Sequence, residues 1–321
     1  MPQSCPKTCW IITPGEAGFE SQARGLAEAL ALTPVIKRIR AKRPWTILPG
    51  GLWAWPLQAL TRDSDPLTPP WPDVIISCGR VAAPVAAAIK RASRGRTHIA
   101  HIQDPQMRFD AFDVVVAPRH DGIDGDNVVL TAGAIHPVTR EKLADAADHW
   151  RNRLASLPRP LIGVLIGGSN GRYRLDAAVM TEIAGKLAAL ARQHGAGLAV
   201  TPSRRTGADN VRILRERIAG VPAYLWDGQG ENPYLGILGL ADAVVVTEDS
   251  VSMTSEAIAT GKPVYVARLP GRSRRQARFH ESLIAAGYTR PFSGELASWS
   301  YAVPDDTARA AAECRRRFGW S

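Results

Sequence analysis

Cysteine is scarce in this chain of 321 residues: Cys5, Cys9, Cys78 and Cys314 are all there are. So few cannot build a disulfide framework, and ordinary reduced thiols are expected. Cys5 and Cys9 are spaced to clasp a metal, but no second Cys or His pair would complete the site, so neither a metal nor a resident cofactor is expected. Long apolar runs are also missing. No stretch approaches the roughly 18 apolar residues of a membrane-crossing helix. The run from Trp10 to Ile12 is too short for a secretion-signal core, and a cytoplasmic location is expected. Acidic residues are outnumbered, 30 against 40 Lys and Arg, for a net charge of +10. That excess favours an anionic partner: a nucleotide, a phosphorylated substrate, an acidic membrane surface or nucleic acid. No RRM, KH or zinc-finger pattern is visible, which weighs against nucleic acid. With 45% hydrophobic and 22% charged residues, the composition is that of a globular protein.

Short apolar runs alternate with longer amphipathic stretches, which predicts βαβ units and a mainly parallel sheet. Strands are expected at 9–13, 35–39, 74–77, 98–102, 114–117 and 128–131, then at 161–166, 198–201, 223–225, 243–247 and 264–267. Several are apolar on consecutive residues, as Val114, Val115 and Val116 are, which implies burial on both faces. Helices are expected at 22–31, 82–91, 141–157, 177–194, 210–218, 234–240, 252–260 and 305–318. Pro158, Arg159 and Pro160 end a helix. The expected domains are therefore 1–157 and 158–303, with a terminal helix over 304–321.

In parallel sheets, ligands bind at the carboxyl ends of the strands, so the strand-to-helix loops carry the functional expectations. After the strand ending at Thr247 come Glu248, Asp249 and Ser250, then a helix that stops near Gly261 and Pro263. A helix amino terminus attracts phosphate, and Ser250 and Ser252 stand where hydroxyls would add donors. Ser252, Ser255 and Glu256 share a face, and Glu256 lies too far along for a capping box, which leaves its carboxylate for ligand hydroxyls such as a ribose diol. The opposing reading is an exposed Glu and an ordinary serine cap.

Gly167, Gly168 and Ser169 precede Arg172 and form either a phosphate loop or a flexible turn. This is neither a Walker A loop nor a dinucleotide fingerprint. Ser203 and Arg204 end another strand with donors. In the first half, Gly15, Glu16, Gly18 and Gln22 follow the first strand, and Gly79 and Arg80 follow the third. His101 and Asp104 are candidate bases, as is Glu16; their alternatives are a satisfied histidine and loop acids. Lys37, Arg38, Arg40, Lys42 and Arg43 stand just before a tryptophan-rich segment from Trp45 to Leu57. That pairing suits either an acidic membrane surface or tryptophans packed into the first domain.

Taken in order, these pieces resemble the bacterial branch of the mitochondrial-fission ELM-like family, related in fold to GT-B glycosyltransferases. The resemblance rests on Gly15, Gln22 and the run Gly25 to Leu30; on Gln103, Asp104 and Pro105; on His120 and Asp121; and on Thr131, Gly133 and Ala134. It rests further on Ile166, Gly167 and Gly168. The most specific part runs from Thr247 through Asp249, Ser250, Ser252, Met253, Ser255 and Glu256 to Ala257, followed by Thr260 to Val264. The resemblance implies two Rossmann-like α/β domains with parallel sheets facing across a cleft. It implies a nucleotide diphosphate sugar as substrate in the second domain, with Glu256 on the ribose and Ser250 and Ser252 facing the phosphates. It further implies an acceptor on the first domain and a terminal helix that crosses back to it. Three activities are carried forward: a metal-independent glycosyltransferase using Asp104 or Glu16 as base, a sugar-nucleotide epimerase, and a non-enzymatic membrane-associated adaptor.

Overall fold

The computed structural model describes residues 7–320, in two compact units. One runs to Pro137 and resumes at Asp305; the other is Val138–Pro304.

In the first unit, β1 (Cys9–Thr13), α1 (Ala17–Ala29), β2 (Pro34–Arg38), β3 (Val74–Cys78), α2 (Ala82–Ala92), β4 (His98–Ile102), β5 (Val114–Pro118) and β6 (Val128–Thr131) follow in order. The strands form one sheet, ordered β2-β1-β3-β4-β5-β6, with every pairing parallel. Side chains alternate across such a sheet. Accordingly Val74, Ile76 and Cys78 pack with Leu26 of α1, while Ile75 packs with Val85 and Ile89 of α2. Apolar layers on both faces explain why the strands read as unbroken hydrophobic runs.

The second unit opens with α3 (Arg140–Leu154) and continues through β7 (Leu161–Ile166), α4 (Ala177–His194), β8 (Gly197–Pro202), α5 (Ala208–Ile218), β9 (Ala223–Leu225) and α6 (Tyr234–Leu240). It ends with β10 (Ala243–Thr247), α7 (Val251–Ile258), β11 (Val264–Ala267), α8 (Arg274–Ala285) and β12 (Thr289–Pro291). Its sheet runs β12-β11-β10-β7-β8-β9, again parallel at every pairing. Ile162, Val164 and Ile166 pack with Met180 and Leu187 of α4 and Leu214 of α5. Leu165, Val244 and Val246 pack on the other face with Ile258 of α7 and Phe279 and Leu283 of α8.

The units divide at Pro137, not at the proline pair 158 and 160. The reason is α3. Its Trp150 and Leu154 are buried with Leu161, Ile237 and Leu240 of the second unit. At Gly236 of α6 a Cβ would lie 2.4 Å from the Trp150 ring, so glycine permits the close approach. α8 and β12 were not expected from the sequence, and α1 begins at Ala17, ahead of the expected start at residue 22.

The chain then supplies α9 (Asp306–Arg317) to the first unit. Ala310, Ala311 and Cys314 enter the core beside Leu26 and Leu30, and Asp306 Oδ2 accepts the Ala132 amide at 2.7 Å. Cys9, Cys78 and Cys314 are free and buried, and burial pushes the thiols of Cys9 and Cys314 up to about 12. Such thiols stay protonated and inert. Cys5 lies outside the described residues. Among the described residues, no helix is long and apolar enough to cross a membrane.

Candidate functional site

In the second unit the loops after β7, β8, β10 and β11 all emerge at one edge of the sheet, because the strands are parallel. The β10 loop is fixed by Asp249, whose side chain is wholly enclosed. A buried carboxylate is costly unless its lone pairs are used. Here Asp249 accepts from Thr247 Oγ1 at 2.7 Å, the Gly168 amide at 3.1 Å and Arg205 Nη2 at 2.7 Å. The Gly167 amide donates to Thr247 Oγ1 at 2.7 Å. Ser203 Oγ donates to the Gly167 carbonyl at 2.9 Å, closing the β8 loop onto the β7 loop.

These contacts correct three expectations. The amides of Gly167 and Gly168 are spent inside the protein rather than offered to a ligand. Asp249 takes the Gly168 amide, Thr247 Oγ1 takes the Gly167 amide, and Asp249, as a buried anion, does not attract phosphate. The glycines serve packing: a Cβ on Gly168 would lie 2.0 Å from the Arg205 carbonyl oxygen.

The helix α7 starts one residue earlier than expected, with Ser250 as its cap; the Ser250 Oγ accepts the Met253 amide at 3.3 Å. Ser255 is buried and donates to the Val251 carbonyl at 2.9 Å. In the first turn, Val251 and Ser252 have amides with no intrahelical acceptor. Ser252 and Met253 are half-buried. Glu256 is 7% exposed, and the Tyr234 hydroxyl donates to its Oε2. The carboxylate is thus already engaged, where spacing along the helix had suggested an unengaged acid. Burial, with Glu256 beside it, pushes the Tyr234 hydroxyl well above its usual range and keeps it a donor.

Around this turn stand arginines. Arg172 and Arg204 are exposed, and Arg205 reaches in to Asp249. The β7 loop is held in shape by Ser169, whose Oγ accepts the Leu175 amide at 2.9 Å, and by Asn170, which accepts the amides of Arg172 and Tyr173. It pairs by backbone with the β11 loop: Tyr173 bridges Gly271, and the Arg272 amide donates to the Arg172 carbonyl at 3.1 Å. The β10 loop is fixed from α8, where Gln276 Nε2 donates to the Asp249 carbonyl at 3.2 Å and His280 Nε2 meets the Glu248 carbonyl at 2.9 Å. Arg205, Tyr234, Gln276 and His280 were not singled out from the sequence, and Thr247 entered only through the family resemblance. Of the four, only Arg205, beside Arg204 in a strand-end loop, carried a local signal.

In the first unit the Gly15 amide donates to Thr13 Oγ1 at 3.2 Å, and Glu16 is exposed just before α1. Gly18 gives its carbonyl to the side chain of buried Gln22 at 3.0 Å, so Gln22 is a helix-internal group. Gly79 packs against Phe19, and Arg80 donates to the carbonyls of Leu48 and Thr46. Asp104 is half-buried, with Oδ1 accepting the Gln106 amide at 2.8 Å. His101 is not an accessible base: its Nδ1 is 2.8 Å from Ser77 Oγ, and burial pushes its pKa down to about 3. A depression of about 530 Å³ is lined by Pro14, Gly15, Glu16, Ile39, Arg40, Ala41, Thr46 and Val81.

The tryptophan segment divides its roles. Trp53 is buried, with its ring centroid 5.8 Å from that of Trp45, whereas Ile47, Leu52 and Trp55 are 71%, 64% and 65% exposed. Among the described residues no group of three His, Cys, Asp or Glu is placed to hold a metal ion.

Two six-stranded parallel α/β units, with polar loops gathered at the carboxyl ends of the strands, give the chain a fold of the GT-B type. A family model described as Mitochondrial fission ELM1 matches residues 17–318, and the chain belongs to that family. It is 35% identical over 280 residues to Mitochondrial fission protein ELM1 of Arabidopsis thaliana, which covers 78% of this chain but only 65% of that protein. Among solved structures, a UDP-GlcNAc 2-epimerase of Methanocaldococcus jannaschii superposes with a TM-score of 0.56 at 12% identity, covering 98% of this chain and 100% of that one. The glycotransferase of kitacinnamycin gives 0.53 at 13%, covering 99% and 94%. At such identities the likeness is one of fold.

Proposed function

We propose that the second unit binds a nucleotide diphosphate sugar and that the chain transfers its sugar to an acceptor hydroxyl. The observation that carries this reading is the amino end of α7. It opens at the carboxyl edge of a parallel sheet, with the Val251 and Ser252 amides uncommitted within the helix and Arg172 and Arg204 exposed on the adjoining loops. A helix terminus of this kind stabilises phosphate through its N–H groups and dipole. Glu256, on the same helical face as Ser252, accepts the ribose hydroxyls. Met253 and Ser169 flank the ligand, and the Gly167, Gly168 and Ser203 loops are the frame beneath it. The M. jannaschii epimerase of this fold was solved with UDP-GlcNAc and UDP, which agrees with such a ligand.

In the transfer, the acceptor oxygen bonds to the anomeric carbon as the bond from that carbon to the diphosphate oxygen breaks. The acceptor proton passes to a general base. The diphosphate leaves with the electron pair, its charge met by arginine and backbone donors. Gly15, Gly79 and Arg80 belong to the acceptor side. The acceptor is presented at an acidic membrane surface, met peripherally from the cytoplasmic side through the exposed Ile47, Leu52 and Trp55 and the cations Lys42 and Arg43. An epimerase would share the donor site and need no acceptor, so product analysis with a labelled nucleotide sugar separates the two.

The test is calorimetry and thermal unfolding with the diphosphates of uridine, guanosine, adenosine, cytidine and thymidine. One of them should stabilise the folded chain, by about 2.7 kcal/mol at a hundredfold excess over its Kd. Glu256→Ala should weaken it at least about tenfold, a loss of roughly 1.4 kcal/mol. If none of the five binds, the proposal fails.

A further inference from the structure

We infer that Tyr234 is the positioning residue that sets the ribose specificity of this site, by holding the Glu256 carboxylate in the one orientation that accepts a vicinal diol. The inference rests on the nucleotide reading above and deepens it. Tyr234 is the first residue of α6, and its backbone is anchored: the amide donates to Asn232 Oδ1 at 3.0 Å. The next turns of α6 are locked in the core through Ile237 and Leu238. The ring is therefore delivered from a fixed element, not from a mobile loop. Its hydroxyl donates across to Glu256 Oε2 on α7, a helix itself fixed by the Ser250 cap.

A glutamate side chain has three rotatable bonds, and ordering it costs conformational entropy unless a partner fixes it. A carboxylate has about four lone-pair positions, so the bond from Tyr234 helps to fix its plane without using up its acceptor positions. The tyrosine hydroxyl is kept protonated by burial and by the neighbouring carboxylate, so it remains a donor over the physiological range. A group that acts this way touches Glu256 and not the ligand. Its loss should erase discrimination between ribose and deoxyribose while leaving the phosphate contacts in place.

The experiment compares UDP with 2′-deoxyuridine 5′-diphosphate by calorimetry on the full chain. The wild type should prefer UDP by about tenfold or more, as expected when a buried acceptor loses its hydroxyl donor. Tyr234→Phe should reduce that preference to less than about threefold, chiefly by weakening UDP, with the deoxy ligand bound as before. If Tyr234→Phe folds poorly, the double variant Tyr234→Phe with Glu256→Gln removes the uncompensated charge, and it too should bind both ligands alike. A preference that survives in Tyr234→Phe overturns the role given to Tyr234 alone. A wild type that binds the two ligands equally overturns the ribose contact and this inference with it, and a chain that binds none of the five diphosphates overturns the nucleotide reading beneath it; where another of the five is the ligand, the same comparison is made with its 2′-deoxy form.

Discussion

His101 shows how a residue can carry the marks of a catalytic group and be something else. It stands near the end of a strand, three residues before Asp104, yet its ring lies inside the sheet with Nδ1 on Ser77. Burial pushes its pKa to about 3, against an ordinary value of 6.5. The unfolded chain takes up a proton below pH 6.5 that the folded chain refuses. Stability from this group is therefore complete above about pH 6.5 and is lost as the pH falls towards 3, by about 4–5 kcal/mol over the whole interval. His101→Gln keeps a partner for Ser77 and removes the titration. Urea unfolding at pH 7 and pH 4.5 should show the wild type losing about 2–3 kcal/mol more than the variant. Parallel losses would mean that the ring is not held neutral. The same scale explains what was legible at the site. Spacing along one helix put Ser252, Ser255 and Glu256 on a single face, because a 3.6-residue period is written in the chain. It gave no hint of Tyr234, whose bond to Glu256 joins two helices, or of Asp249 as a clamp, whose partners come from two other loops.

Between elements, the clamp after β7, β8 and β10 is the feature most exposed to a small change. Gly168→Ala would set a Cβ 2.0 Å from the Arg205 carbonyl oxygen and 2.2 Å from its carbon, and backbone on both sides cannot yield locally. The loops would part, and Asp249 would lose the Gly168 amide and its Arg205 partner while still buried. We expect a loss of about 3 kcal/mol, seen as a fall of several degrees in Tm, with Gly171→Ala on the same loop close to neutral because nothing lies near its Cβ. Strands were easy to read because burial on both faces leaves unbroken apolar runs. Helix α8 was hidden for the opposite reason. Its buried face is Gln276, Phe279, His280 and Leu283, so two of the four inward positions are polar. Those two are the groups that bond the carbonyls of Asp249 and Glu248, and the duty that makes α8 useful also breaks its hydrophobic period. The proline pair misled in a similar way. Arg159 between the prolines donates to the Leu240 carbonyl at 2.7 Å and Asp242 Oδ2 at 2.8 Å, which makes the segment a tight internal joint instead of a linker.

For the molecule as a whole, a net charge of +10 calls for an anionic counterpart. Single exposed apolar side chains are unremarkable on any protein, but a cluster is not. Ile47, Leu52 and Trp55 fall within one short segment, supported from beneath by buried Trp53 and half-buried Trp45. Arg38 and Arg40 are partly neutralised by Glu20 and Asp63, whereas Lys42 and Arg43 are exposed and, among the described residues, without a carboxylate partner. Each such cation near an anionic leaflet contributes about 1 kcal/mol, so the apolar side chains must supply the rest of any attachment. The chain should therefore sediment with vesicles of phosphatidylcholine and phosphatidylglycerol, and much less with phosphatidylcholine alone. Raising the salt towards 1 M, where the screening length falls to about 3 Å, should release it. Replacing Ile47, Leu52 and Trp55 together by serine should abolish the attachment at moderate salt, and Lys42→Glu with Arg43→Glu should do so at low salt as well. Equal sedimentation with neutral and acidic vesicles, or indifference to the triple serine change, would move the anionic partner elsewhere, to the arginines of the second unit.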